Sequence, residues 1–176
     1  AALTDTVVDV STIRALGFCV SIAHAVYMAR KFTEVGIVSY AITSETSRAD
    51  RAELLNRFRA GEIRCLFTVD IFNEGVDIPA VDTVLMLRPT QSATIFLQQL
   101  GRGLRRAPDK SVLTVLDFVG HQNAQFRFDL KLRALTGASR RRLQRDVQQG
   151  FPFLPAGSQI VLDLSLIHIS EPTRLR

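Results

Sequence analysis

Gly17-Phe-Cys-Val-Ser-Ile-Ala-His-Ala-Val-Tyr-Met-Ala-Arg-Lys-Phe32 changes its hydrophobic period halfway along, and that change decides the fold class. Its first part, Phe18-Cys-Val-Ser-Ile22, is a short apolar run that predicts a buried strand. Beyond it the apolar residues fall at Ala25, Met28, Ala29 and Phe32, the i, i+3, i+4, i+7 spacing of one helix face, and Gly36 is suited to end that helix. The same alternation continues outward. Val38 to Thr43 predicts a second strand, and Ser47 with Asp50 resembles a capping box before a helix with Ala52, Leu54, Leu55 and Phe58 on its buried face up to Gly61. Cys65 to Val69, Thr83 to Leu87 and Val112 to Leu116 are further β-rich runs, and Ser92 can cap a helix carrying Ala93, Phe96, Leu97 and Leu100. Strands alternating with helices predict an α/β fold with a mainly parallel central sheet covered on both faces.

The 176 residues are a prior of one domain, and 47% hydrophobic residues exclude a mostly disordered chain. No apolar run approaches the roughly 20 residues that span a bilayer, so no membrane partner is expected. Cys19 and Cys65 both lie in apolar runs and read as reduced core residues of a cytoplasmic protein. A net charge of +5 leans towards a polyanionic partner. From Ala138 the texture changes: Arg140, Arg141, Arg142 and Arg145 crowd a polar helix, and Gly150-Phe-Pro-Phe-Leu-Pro155 reads as a connector. The compact domain is therefore expected over 1–137, with a linker or accessory region over 138–163. Leu164 to Arg174, LSLIHISEPTR, matches one reading frame of a transposase-type sequencing adapter, and 164–176 is expected to be a non-native tail.

In an open parallel sheet, ligands bind beyond the carboxyl ends of the strands. Two segments that follow predicted strands carry suitable groups. In Val69-Asp-Ile-Phe-Asn-Glu-Gly-Val-Asp-Ile-Pro79, Gly75 lets backbone approach a ligand and Asp77 offers a carboxylate to ribose hydroxyls, although a tight turn would use the same glycine. In Gln98-Gln-Leu-Gly-Arg-Gly-Leu-Arg-Arg106, Gln98, Arg102 and Arg105 stand at i, i+4, i+7 and share one face of a continuing helix. Guanidinium groups match phosphate oxygens bidentately, so the three suit a triphosphate; a solvated basic helix end is the plainer reading. His24 and His121 stand alone, without a ligand partner at helical spacing, and no metal ligands are expected.

Together EGVDIP and QQLGRGLR resemble motifs V and VI of superfamily 2 helicases, within the second RecA-like domain. Phe18 to Phe32 resembles motif IV, and the likeness runs from about Arg14 to Thr136. LFTVDIFNEGVDIPAVDTVLMLRPTQSATIFLQQLGRGLRR is similar to bacterial restriction- and repair-type DNA helicases, above all those with a phospholipase-D-like nuclease domain ahead of the motor. GFPFLPAGSQIVLD resembles the start of the region after that motor. The resemblance implies a RecA-like three-layer sandwich. It implies that Arg105 is the arginine finger on the γ-phosphate of ATP, that Arg102 contacts the same phosphates, and that Gln98 holds the polar network across the interdomain cleft. Gly75 would approach the nucleotide and Asp77 bond its ribose, while Thr68 or Asp70 would link the nucleic-acid backbone to this site; Val69 separates these two, where related families place Thr directly before Asp.

The sequence has no G-x-x-x-x-G-K-[ST] loop and no Asp-Glu dipeptide for Mg²⁺. The expected function is half of an ATP-dependent DNA helicase or translocase, inactive alone, whose partners are DNA and the first RecA-like domain of the same chain. ATP and Mg²⁺ would serve the intact protein, with the Mg²⁺ ligands elsewhere. A non-catalytic nucleic-acid-binding module using Arg140 to Arg145, or the motor of a restriction enzyme, are the alternatives.

Overall fold

The computed structural model describes residues 12–69, 81–88, 113–118 and 128–149, without the side chains of 128–131. Within 12–118 the elements run β1 (Ala15–Phe18), α1 (Ile22–Glu34), β2 (Ser39–Ile42), α2 (Arg48–Ala60), β3 (Cys65–Thr68), β4 (Thr83–Met86) and β5 (Thr114–Asp117). The described strands form one sheet in the order β2-β3-β1-β4-β5, and every pair is parallel. This is the mainly parallel α/β sheet of a RecA-like fold.

Polar groups at the amino edge set the register. The Asp82 carboxylate accepts from the Arg14 backbone N–H at 3.0 and 3.1 Å and from Thr83 Oγ1 at 2.8 Å. The Asp82 N–H donates back to the Arg14 carbonyl at 3.1 Å, and its own carbonyl accepts from Thr114 N–H at 2.8 Å. One residue thus aligns the starts of β1, β4 and β5. The register follows level across the sheet, with Phe18 beside Thr68 and Met86, Ile42 beside Thr68, and Asp117 beside Met86.

One face carries Ala15, Cys65, Phe67 and Leu85, all buried, and receives α1 through Ala25, Ala29, Met28 and Phe32, as the spacing predicts. The Phe32 and Phe67 rings meet edge-on, with centroids 5.0 Å apart and planes at 78°. Gly17 makes room for this contact, because a Cβ there would run into the Phe67 ring. The other face buries Leu16, Phe18, Ile42, Leu66, Val84 and Met86. Helix α2 belongs to it, since the Arg57 guanidinium lies 5.2 Å from the Tyr40 ring, which alternates with Ser39 and Ala41. The crossovers β1-α1-β2 and β2-α2-β3 run in opposite directions, so right-handed connections place the two helices on opposite faces.

The helix ends follow the sequence. Ser47 Oγ accepts from Asp50 N–H at 3.1 Å and donates to its carboxylate at 2.7 Å, and Gly61 ends α2 at φ +83°. The first strand differs from expectation: β1 ends at Phe18, not Ile22. Ser21 is taken as the cap of α1, accepting from His24 N–H at 3.2 Å, so the strand must stop before it and Val20 is left 59% exposed. Likewise β5 is Thr114–Asp117 rather than Val112 to Leu116, and Leu55 and Phe58 are the buried residues of α2 while Ala52 is exposed.

Residues 128–149 belong to a second unit, Thr90–Leu97 with Gly120–Arg176, in which α3 (Phe128–Thr136) and α4 (Arg140–Gln148) pack on each other across Gly137, at φ +67°. Leu132, Ala138 and Leu143 are buried between them with Val147 against them. Among the described residues no helix is long and apolar enough to cross a membrane.

Two outcomes follow from this packing. Alanine favours a strand over glycine by about 0.5–1 kcal/mol, but overpacking costs about 1–3 kcal/mol, so Gly17→Ala should lower the urea midpoint of unfolding. Burial pushes the Cys19 thiol from an ordinary 9.0 up to about 12, and Cys65 well above the usual range. A group whose folded value is raised stabilises the fold fully below its unfolded value and loses that contribution as pH rises towards the folded one. Stability should therefore decline from about pH 9 upward, and neither thiol should take up iodoacetamide at pH 8 until the chain is unfolded.

Candidate functional site at the carboxyl edge of the sheet

A level register brings five strand ends to one edge. There stand Val20 and Ser21 after β1, Thr43 to Ser47 after β2, Thr68 and Val69 after β3, Leu87 and Arg88 after β4, and Asp117 with Phe118 at β5. Chain direction reverses at β1: β2 lies two places to one side, and β3, after stepping back one place, is followed by β4 on the far side of β1. Open α/β sheets bind ligands at such a switch point. The first segment singled out in the sequence starts here, at Val69 just past β3, while the chain leaves β4 through Arg88, ten residues before the second segment; β3 and β4 are the two neighbours of β1. Strand spacing of about 4.8 Å puts the exits from β3 and β4 roughly 10 Å apart.

Of the residues expected to act, Thr68 is the one within the described residues. Asp70, Gly75, Asp77, Gln98, Arg102 and Arg105 lie outside them. Thr68 closes β3 with no solvent exposure. Its carbonyl accepts from Cys19 N–H at 2.7 Å, while its hydroxyl has no hydrogen-bond partner among the described residues. A buried hydroxyl left without any partner costs about 1–3 kcal/mol, and the described residues supply none to this one.

The loops around it are built from local side-chain hydrogen bonds. Thr46 Oγ1 accepts from Thr43 N–H at 2.9 Å and Thr43 Oγ1 from Glu45 N–H at 3.2 Å, which shapes the turn leading to α2. His24 Nδ1 accepts from Val20 N–H at 3.4 Å, so this histidine finishes the turn into α1. Arg88 is a residue the sequence reading passes over. Its guanidinium donates to the Val69 carbonyl at 3.4 Å, reaching from the exit of β4 to the start of the first candidate segment. Along the chain Arg88 shows only as a charge closing the apolar run Thr83 to Leu87 immediately before Pro89, which does not tell what it reaches. Asp117, whose role the residues alone leave open, is half-buried at the same edge.

These groups can position backbone and bind a polar ligand. Among the described residues no group of three or more His, Cys, Asp or Glu could hold a metal ion.

Comparison with known proteins gives a consistent result. Residues 2–107 match the family described as helicase conserved C-terminal domain. The putative ATP-dependent helicase IRC3 of Saccharomyces cerevisiae is 36% identical over 103 residues, covering 58% of this chain and 15% of that protein. The DNA 3'-5' translocase XPB2 of Sulfurisphaera tokodaii is 32% identical over 92 residues, covering 52% of this chain and 20% of that one. Relatives named as ATP-dependent RNA helicases match as well. The chain thus spans a fifth or less of the length of the two named relatives. Among solved structures, the E. coli DEAD-box protein SrmB bound to the regulator of ribonuclease activity A has a TM-score of 0.59 at 20% identity, covering 78% of this chain and 77% of that one; it shares the fold.

Thr68→Val replaces the hydroxyl by a methyl group of nearly the same shape. It should raise stability by about 1 kcal/mol in urea unfolding. A drop in stability would mean that the hydroxyl is satisfied in solution.

Proposed function

This chain belongs to the helicase conserved C-terminal domain family of superfamily 2 helicases, and we propose that it is the second RecA-like half of an ATP-dependent DNA helicase or translocase. The observation that carries the reading is that β3 and β4, the strands the two candidate segments follow in sequence, flank the strand where chain direction reverses. A nucleotide seated there meets residues from both.

In this reading Gly75 admits the nucleotide to the backbone of the first segment and Asp77 bonds its ribose. Arg102 and Arg105, one helical turn apart in the second segment, face the phosphates, and Gln98 ties them to the polar network of the interdomain cleft. Arg105 is the finger. Phosphoryl transfer depends on positioning and electrostatic stabilisation, and a finger contributes about 10³–10⁵ in rate. ATP with Mg²⁺ supplies the transferable phosphoryl group, and the phosphate loop and Mg²⁺ ligands come from the first RecA-like domain. Thr68 and Asp70, at the end of β3 and just beyond it, couple nucleic acid to the cleft, with buried Thr68 fixing where the segment starts. Arg88 holds the start of the first segment to the exit of β4. The chain alone is inactive, since it carries one side of the cleft.

DNA as the substrate and the closer kinship with restriction- and repair-type helicases rest on the resemblance of the motif segments, and a setting in the cytoplasm rests on Cys19 and Cys65. The two buried thiols suit a reducing compartment.

In the intact protein, Arg105→Ala should lower nucleic-acid-stimulated ATPase by about 10³ or more while ATP affinity changes little. Measuring turnover with DNA and with RNA as stimulant tests the substrate at the same time. Near-normal turnover in the variant would overturn the finger assignment.

A further inference from the structure

We propose that the solvent face of α4 is a binding surface for a nucleic-acid phosphate backbone, separate from the RecA-like unit. The proposal rests on the helicase reading for its setting, but the surface lies beyond residues 2–107, the part matched to the helicase family. The observation is where the charge sits. Residues 128–149 hold six Lys or Arg against two Asp, a net +4, whereas the whole chain carries +5. Nearly all of the chain's excess positive charge belongs to one helical hairpin.

The hairpin presents that charge outward. Leu143 and Val147 turn towards α3, which leaves Arg140, Arg141, Arg142, Gln144, Arg145 and Gln148 exposed. Arg141 and Arg145 stand at i, i+4, one above the other on this face. Neither they nor Arg140 has an ion pair among the described residues. Arg142 is paired with Asp146 at 3.6 Å, but its own side chain is 54% exposed while that carboxylate is largely buried at 11%. Arg142, Arg145, Asp146 and Gln149 line a groove of about 360 Å³. Such a groove admits a phosphodiester group between two guanidinium forks.

The face favours a nucleic acid over an acidic protein. A protein interface needs an apolar centre where a few side chains carry most of the affinity. The exposed face of α4 offers no apolar residue, since its leucine and valine are turned inward. Polyanion backbones need none: phosphate contacts gain affinity by releasing counterions, and arginine provides them.

The test is binding of the 176-residue chain to a fluorescent mixed-sequence single-stranded DNA, and to RNA of the same sequence, across a salt series. Arg141→Gln combined with Arg145→Gln should weaken binding and flatten the slope of log K against log[salt] by about 1.4–1.8, at roughly 0.7–0.9 per lost phosphate contact. Arg141→Lys with Arg145→Lys should restore most of the slope. A charge-matched control on α1, Arg30→Gln with Lys31→Gln, should leave it unchanged. Loss on both polymers, or on one alone, supports the surface and identifies the backbone it grips. An unchanged slope in the Gln pair, an equal drop in the α1 control, or polyglutamate competing as well as the oligonucleotide would each overturn it. The readout is binding, so its failure leaves the ATP-site reading standing, and failure of the Arg105 test leaves this surface standing.

Discussion

Everything at the carboxyl edge depends on a carboxylate at the opposite one. Asp82 accepts the Arg14 N–H with both oxygens and passes its own backbone to β1 and β5, so three strands begin level. A parallel ladder one residue out of step would turn every buried side chain to the wrong face. Here it would also stagger the exits of the strands that the two candidate segments follow. The alignment of a polar cluster thus decides whether residues far apart in sequence can meet one ligand.

The sheet also shows what makes the architecture readable. Ala25, Met28, Ala29 and Phe32 announce α1 because one face of it is buried against a sheet, and burial on one side leaves a period. Ser47, Asp50 and Gly61 mark the ends of α2 because orphan backbone groups demand those residue types. The end of β1 was less legible. Phe18 to Ile22 is more apolar than Ala15 to Phe18, yet the strand is the latter, because Ser21 is committed to the helix cap and Ala15 and Gly17 are poor strand formers chosen by packing.

The site divides in the same way. Gln98, Arg102 and Arg105 can be nominated from sequence because charge at helical spacing has a face, and Gly75 with Asp77 because they follow a strand, although all five lie outside the described residues. Arg88 and the Thr68 hydroxyl cannot be. Both are single residues at the close of apolar runs, and what sets them apart is a carbonyl two strands away and the lack of a partner among the described residues, neither of which leaves a pattern along the chain.

Gly17 and Phe67 share one volume: the ring lies where the glycine's Cβ would be, and Phe32 closes over it. In terms of descent, the two positions are then not free to drift independently. A lineage that acquires a side chain at 17 needs a smaller residue at 67, and with it a different residue at 32 to refill the space beneath α1. Three positions on three elements behave as one inherited unit, and related sequences should change there together or not at all.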